Sequence, residues 1–542
     1  MQARVLSRKL HSIVPHIDIP CIDLEKYIWK KLYKWHNKTA VVCAATKRQY
    51  TYLELYNKTN SMANFLFKLT EGKRNDTVAI ILPNLPEFPI AVLGAIQAGL
   101  KITTINPNYT PDEMGKQLLL TESKVIFTTN ENHKIVEQTL QLFKLKIPTV
   151  IIRTRADEQL PNDTINFADV TQEIHQTQLD VTRNHDDTAF LLFSGGTTGH
   201  PKPIELTHRS IVSNIHQTSI PDFDIFEETN GSEQDIIPVM IPMYHGFGLT
   251  YVLLHGLSKG CKMVSVPKFT TGVLVNVLQD YTSSKLAVVP TIYHALLRSE
   301  YITPVHLMNV KTVVCSGAPL SANDVMLLNA KANGKVNVMQ LLGSAESLLT
   351  FTQSMYIKNG TKPGGIGFLL PSTEAKVVSV YGEKTLGVNE QGEILIRGPQ
   401  VMKGYHKNEK ATQEAFTEDK WLKTGDVGYY DEDDHFFITD RIKDMIKVKG
   451  YQVYSSELEE IIKQEPNVAD VAVIGVPHNV FGEVPKAFVV PKRGSLISPN
   501  TIQEYVKSRV VNYKQLRGGV FFIDSIPRSP IGKILKKELK NL

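Results

Sequence analysis

Between Phe190 and Lys202 the chain reads Phe190-Leu191-Leu192-Phe193-Ser194-Gly195-Gly196-Thr197-Thr198-Gly199-His200-Pro201-Lys202, and no other segment says as much about chemistry. An apolar run delivers a loop whose three glycines allow close backbone approach and unusual dihedrals. Ser194, Thr197 and Thr198 supply hydroxyls, and Lys202 a positive charge. Polyphosphate is the ligand such a loop suits; a tight turn without a ligand is the competing reading. The Walker A pattern is excluded, because Pro201 stands where its lysine would be and no Gly-Lys-Ser/Thr triplet follows.

Other residues could join that loop. His245, in Pro242-Met243-Tyr244-His245-Gly246-Phe247-Gly248, can orient a carboxylate by hydrogen bonding without removing its nucleophilicity. Cys315-Ser316-Gly317-Ala318-Pro319-Leu320 follows a Val-rich run, as a ligand loop does at the carboxyl edge of a parallel sheet. Asp426, in Trp421-Leu422-Lys423-Thr424-Gly425-Asp426, is a carboxylate able to accept two hydrogen bonds. Lys533 sits in a Pro/Gly loop, Pro527-Arg528-Ser529-Pro530-Ile531-Gly532-Lys533, which presents a cation on a turn. Taken singly, each has a plain structural alternative: a satisfied core histidine, a strand-to-helix turn, a surface acid, a solvated basic face.

Their order along the chain narrows the choice. Ser-Gly-Gly-Thr-Thr-Gly-x-Pro-Lys resembles the phosphate loop of the adenylate-forming superfamily, and further motifs of its acyl-CoA synthetase, 4-coumarate–CoA ligase and beetle luciferase branch follow in sequence to the end of the chain. The resemblance implies that Ser194, Gly195, Gly196, Thr197, Thr198, Gly199 and Lys202 hold the phosphates of ATP. It also implies that Gly317, Ala318 and Pro319 back the adenine and border the acyl pocket. Gln340-Leu341-Leu342-Gly343-Ser344-Ala345-Glu346 is similar to the family's Tyr-Gly-x-Thr-Glu, which places Leu342, Gly343 and Ala345 at the nucleotide and makes Glu346 the Mg²⁺ carboxylate. By the same resemblance Asp426 is expected at the ribose, Arg441 at ribose or phosphate, His245 beside the substrate carboxylate, and Lys533 at the transition state. Lys447, Lys449 and Gly450 form a ribbon presented to coenzyme A when the lid turns about Asp440.

Four departures from the family pattern stand out: Gly195 for a second hydroxyl residue, Pro203 for glycine, Leu342 for the aromatic that stacks on adenine, and Ala345 for threonine. Loss of the threonine contact is expected to cost on the order of 1 to 3 kcal/mol. The favoured function is therefore ATP-dependent activation of a carboxylic acid followed by thioester formation with CoA. The alternatives are luciferase-like oxygenation of the same adenylate, and a nucleotide or acyl binder without turnover.

The elements that must position these residues are also legible. Apolar Val/Ile runs at Val78 to Leu82, Val125 to Thr128, Thr149 to Ile152, Leu286 to Val289 and Val313 to Cys315 recur between helical stretches, the pattern of strands buried on both faces, and predict an α/β fold. From Glu374 the texture turns to alternating, turn-rich strands, so a β-rich subdomain is expected over 374–439 of a 1–439 domain. A small α+β lid is expected over 440–542, with its hinge at 440–443. Within the lid, Ser456-x-x-Glu459 reads as a capping box opening a helix.

At 542 residues the chain is long enough for at least two domains. A net charge of +5 is too small to argue for nucleic acid, and no apolar run reaches the roughly 18 residues of a membrane span. The partners expected are small molecules. Cys21, Cys43, Cys261 and Cys315 show neither metal nor disulfide spacing, which points to a reducing, intracellular compartment. Basic, acid-free residues at the start and a closing Lys540-Asn541-Leu542 that loosely resembles S-K-L place the peroxisome ahead of mitochondrion and cytoplasm as the expected address.

Overall fold

The computed structural model describes residues 10–13, 16–155, 157–172, 179, 181–193, 201–318, 320–380, 382, 384–449, 451–529 and 532–542. Two α/β layers make up most of it. The larger has eight strands, six of them parallel: Thr188–Phe193, Lys101–Thr104, Thr77–Ile81, Ser123–Thr129, Thr149–Ile152 and Ile165–Asn166. Such strands are buried on both faces, which is why Val78, Ile80, Ile102 and Phe127 are all buried. At one edge Pro203–Thr207 folds back antiparallel on Thr188–Phe193, and the two-residue strand Gly404–Tyr405 pairs outside it.

The second layer aligns Lys285–Val288, Thr312–Cys315 and Asn337–Ser344 in parallel, then continues antiparallel through Leu348–Thr352 and Phe368–Leu369. The loops that follow Cys315 and Ser344 thus leave the same carboxyl edge. A four-stranded sheet containing Thr39–Cys43 and Lys262–Ser265 packs into the same apolar core.

From Glu374 the chain forms an antiparallel sheet, Glu374–Val378, Gly392–Arg397, Leu422–Tyr430 and Phe436–Arg441, with Leu10–His11 added at its edge. Beyond Arg441 the long hairpin Val468–His478 and Gly482–Pro491 carries Ile446–Val448 and Val520–Phe522 on its flanks. Separate apolar clusters cover its two faces, Val471, Val473 and Val489 on one and Ala472, Ile474 and Phe488 on the other. Among the described residues no helix is long and apolar enough to cross a membrane.

One local expectation is corrected. The helix Ser455–Lys463 begins without a capping box: Ser456 Oγ donates to the Thr439 carbonyl, and Glu459 Oε1 accepts the Val473 N–H at 2.9 Å while pairing with Lys536 at 3.5 Å. The cap comes instead from the end of the strand Phe436–Arg441. Asp440 Oδ2 accepts the Ser455 hydroxyl at 3.0 Å and the Ser456 N–H at 3.3 Å. A buried helix start takes whichever carboxylate the tertiary fold delivers, and Glu459 is drawn away by the strand it packs against.

Candidate active site

Ser194, Gly195, Gly196, Thr197, Thr198 and Gly199 lie outside the described residues. The hairpin that carries them is described, and its register sets Pro203 opposite Phe193, so both ends of the loop are held together. Pro203 is the first residue of its strand, where a missing N–H is tolerated, and its carbonyl accepts the His406 N–H at 2.8 Å. The proline is thus accommodated in the sheet edge. Lys202 extends over the Tyr405 ring, its ammonium 5.2 Å from the centroid.

Glu346 leaves the turn after Asn337–Ser344. Its carboxylate accepts the Tyr405 hydroxyl at 3.2 Å, and its carbonyl accepts the Met402 N–H at 2.8 Å. The approach to it is tight at Gly343, where an added Cβ would lie 2.2 Å from the Leu348 carbonyl oxygen. Leu342 stands opposite Phe351, and Leu342 and Ala345, both half-buried, pack against the main core. Apolar groups occupy the positions where the family pattern has a stacking ring and a hydroxyl.

The neighbouring loop turns at Gly317, whose φ of +97° suits glycine, and passes Ala318; Pro319 is outside the described residues. Gln340 steadies it by accepting the Leu320 N–H at 2.8 Å. Its sequence segment names Gln340, but nothing local shows that an amide one strand away holds the loop.

His245 sits in a turn pinned from outside the motif. Asn84 Nδ2 donates to the Val239 and Ile241 carbonyls at 2.9 Å each, its Oδ1 accepts the Met243 N–H at 2.7 Å, and Thr104 Oγ1 donates to the Tyr244 carbonyl at 2.7 Å. Asn84 and Thr104 carry no sequence signal for this role. A π-helix, Phe247–Leu254, follows directly; its wider turn stacks Phe247 on Tyr251, ring centroids 5.6 Å apart. The His245 Nδ1 is buried without a hydrogen-bond partner among the described residues. Burial, and then the charge of Lys533, push the imidazole down to about 4, so it is neutral at physiological pH.

Asp426 and Arg441 face each other across antiparallel strands, Arg441 Nε to Asp426 Oδ1 at 2.8 Å. Burial pushes the Asp426 carboxyl above its ordinary range, against the pull of Arg441, Lys533 and Lys443. Lys533 reaches the same place from the lid. Its loop is closed by the Ser529 N–H on the Lys533 carbonyl (2.8 Å) and by Arg528 on the Gly532 carbonyl (3.0 Å). An added Cβ on Gly532 would come within 3.4 Å of Thr291, so the loop is seated on the helix Pro290–Arg298. Burial, then Arg441 and Lys443, push the Lys533 ammonium down to about 8, while Asp426 and Asp444 oppose them.

Lys533, His245, Asp426, Arg441 and Glu346 therefore share one electrostatic neighbourhood drawn from both parts of the chain. The ribbon makes contacts inside the lid: Lys447 donates its N–H to Glu483 at 2.9 Å, and the Lys449 ammonium lies 4.6 Å from the Phe481 ring centroid. Gly450 is outside the described residues. Among the described residues no group of three or more His, Cys, Asp or Glu is arranged to hold a metal. Glu346 alone still fits a Mg²⁺ partner, since that ion binds through one or two carboxylates and the substrate's phosphates.

The chain is 36% identical to 4-coumarate–CoA ligase 3 of Arabidopsis thaliana over 98% of its own length and 94% of the relative's. It is 34% identical to luciferin 4-monooxygenase of Luciola mingrelica, with 96% and 93% covered. Among solved structures, ATP-bound MatB from Rhodopseudomonas palustris superposes with a TM-score of 0.86 at 26% identity, over 96% of this chain and 98% of that one; MatB without ATP gives 0.76. The model of the AMP-binding enzyme family matches residues 28–406 and that of its C-terminal domain residues 457–533, and the chain belongs to the AMP-binding enzyme family.

Proposed function

We propose that this protein is an AMP-forming acid–thiol ligase that activates a small carboxylic acid with ATP and passes the acyl group to coenzyme A. The observation that carries this reading is the convergence of a lid cation, Lys533, on His245 and on the Asp426–Arg441 pair. In the first step a carboxylate oxygen attacks the α-phosphorus, the bond to the β-phosphate oxygen breaks, and pyrophosphate leaves. Lys533 neutralises charge shared by the carboxylate and the α-phosphate. Neutral His245 orients the carboxylate, Asp426 receives the ribose hydroxyls, and Lys202 faces the phosphates.

Glu346 would hold Mg²⁺, which would screen the charge of the phosphates. The second step has the CoA sulfur attack the acyl carbon; the acyl–phosphate bond breaks, AMP leaves, and the thiol proton passes to solvent. For Lys533 to make way, the lid turns at Asp440 and presents Lys447 and Lys449, a motion that fits the seating of Gly532 on a surface of the other domain.

The test is acid-dependent pyrophosphate release and CoA-dependent thioester formation across 4-hydroxycinnamates, benzoates and medium- to long-chain fatty acids. Thioester formation with one class supports the ligase. Absence of both products with every class sinks it, and light emission with luciferin and ATP but no thioester would favour oxygenation.

A further inference from the structure

One short segment, Met402 to His406, touches both sides of the phosphate-binding region. Met402 N–H holds the Glu346 carbonyl at 2.8 Å, and Lys403 N–H holds the Glu205 carbonyl at 2.9 Å. Gly404–Tyr405 pairs with the strand leaving the phosphate loop, Ile204 opposite Tyr405. His406 donates its N–H to the Pro203 carbonyl at 2.8 Å, and its ring Nδ1 lies 2.5 Å from Glu205 Oε1, an oxygen pair further tied by Thr188 on Oε2 at 3.0 Å. Tyr405 itself is anchored by its N–H on Thr412 Oγ1 at 2.9 Å. These bonds fix the backbone from which the Tyr405 ring projects.

Two charges meet that ring. Its hydroxyl donates to Glu346 Oε1 at 3.2 Å, and its face lies under the Lys202 ammonium at 5.2 Å. A carboxylate on a turn and a lysine at the end of a glycine-rich loop are otherwise free to pair with each other, which would neutralise both. The ring stands between these two uses: its edge engages the anion and its face the cation.

We propose that Tyr405 is a positioning residue that sets the Glu346 carboxylate for the metal and the Lys202 ammonium for the phosphates, through two separable contacts. This rests on the reading that Glu346 and Lys202 serve the nucleotide. The expected signature is a split between the metal-bound and metal-free nucleotide. Tyr405→Phe keeps the ring face under Lys202 and removes only the bond to Glu346; Tyr405→Leu removes both.

Calorimetric titration of the full-length protein with ATP, in excess Mg²⁺ and separately in a chelator, reads the difference. For Tyr405→Phe the affinity for Mg²⁺-ATP is expected to fall about tenfold, the size of a lost hydrogen bond to a charged group, with metal-free ATP binding unchanged. Tyr405→Leu is expected to weaken both. In pyrophosphate release, Tyr405→Phe should raise the KM for Mg²⁺-ATP and leave that for the acid unchanged. Wild-type affinity in Tyr405→Phe, or equal loss with and without metal, overturns the proposal. If the leucine variant does not fold, the near-isosteric phenylalanine variant still decides. Failure of the wild-type protein to bind Mg²⁺-ATP at all would instead overturn the functional reading on which this rests.

Discussion

Arg441 Nε lies 2.8 Å from Asp426 Oδ1, and the two residues stand opposite each other in the antiparallel pair Leu422–Tyr430 and Phe436–Arg441. Asp426 is only 6% exposed and Arg441 is the last residue of its strand, one position past Asp440, the proposed pivot. In the proposed reaction Arg441 would therefore both hold the carboxylate offered to the ribose and lie next to the proposed pivot. Arg441→Ala leaves a buried carboxylate whose range, already raised by burial, has lost its main opposing charge. The expected result is weaker ATP binding by about tenfold or more in calorimetry, with the KM for the acid at saturating ATP less affected.

Lys533 gives a pH dependence with a defined sign. Its ammonium is pushed down to about 8, so it is charged below that pH and neutral above it. The kcat/KM for pyrophosphate release should fall as pH rises through about 8, because this quantity reports the free enzyme. Lys533→Arg should move the decline out of the accessible range, and Lys533→Ala should abolish the first step. A profile flat to pH 9.5 would remove Lys533 from the role. For stability the direction is opposite: between about 8 and 10.5 the unfolded chain holds a proton that the folded one has lost, so this group's contribution improves with rising pH.

His245 should show no inflection near 6.5. Burial and Lys533 hold its range down to about 4, so the neutral ring persists through the whole working range. The kcat/KM for the acid is expected to be level from pH 5.5 to 7 once ATP is saturating. Asn84→Ala, which frees the turn without touching His245, should raise the acid's KM more than it changes ATP affinity.

Ala345→Thr restores a hydroxyl at a half-buried position beside Glu346. A gain in ATP affinity of about tenfold is expected, the size of one hydrogen bond to a charged phosphate. An unchanged affinity in titration would mean that the nucleotide lies elsewhere.

The hinge makes its own prediction. Asp440 caps the lid helix Ser455–Lys463 through Ser455 and Ser456. Asp440→Ala should destabilise that helix by about 1 kcal/mol, the usual worth of a lost cap. Amide exchange over 455–463 should rise, with the strand Val468–His478 less affected.

Much of this was legible from residue order alone. The parallel strands announced themselves as Val/Ile runs because burial on both faces removes any polar alternation, and the motif order pointed to nucleotide and acid chemistry before any coordinate was known. Lys533 stands out in the sequence because its Pro/Gly loop, a local pattern, resembles the family's terminal lysine loop. The cap on Ser455–Lys463 was misassigned for the converse reason. Ser456-x-x-Glu459 has the right local spelling, but Asp440 and Val473 compete for those groups from outside the helix.

What the sequence by itself determined is the set of chemical groups and the α/β elements that carry them, since both are written in short-range patterns of residue type. Only the tertiary structure decided their company: Tyr405 between Lys202 and Glu346, Asn84 behind His245, Arg441 on Asp426 and Gly532 against Thr291. Pairings of this kind join residues tens to hundreds of positions apart through sheet register and domain docking, and no local spacing encodes them. The physical reason is that a hydrogen bond or ion pair depends on distance in space, which the chain sets only when its cores have formed.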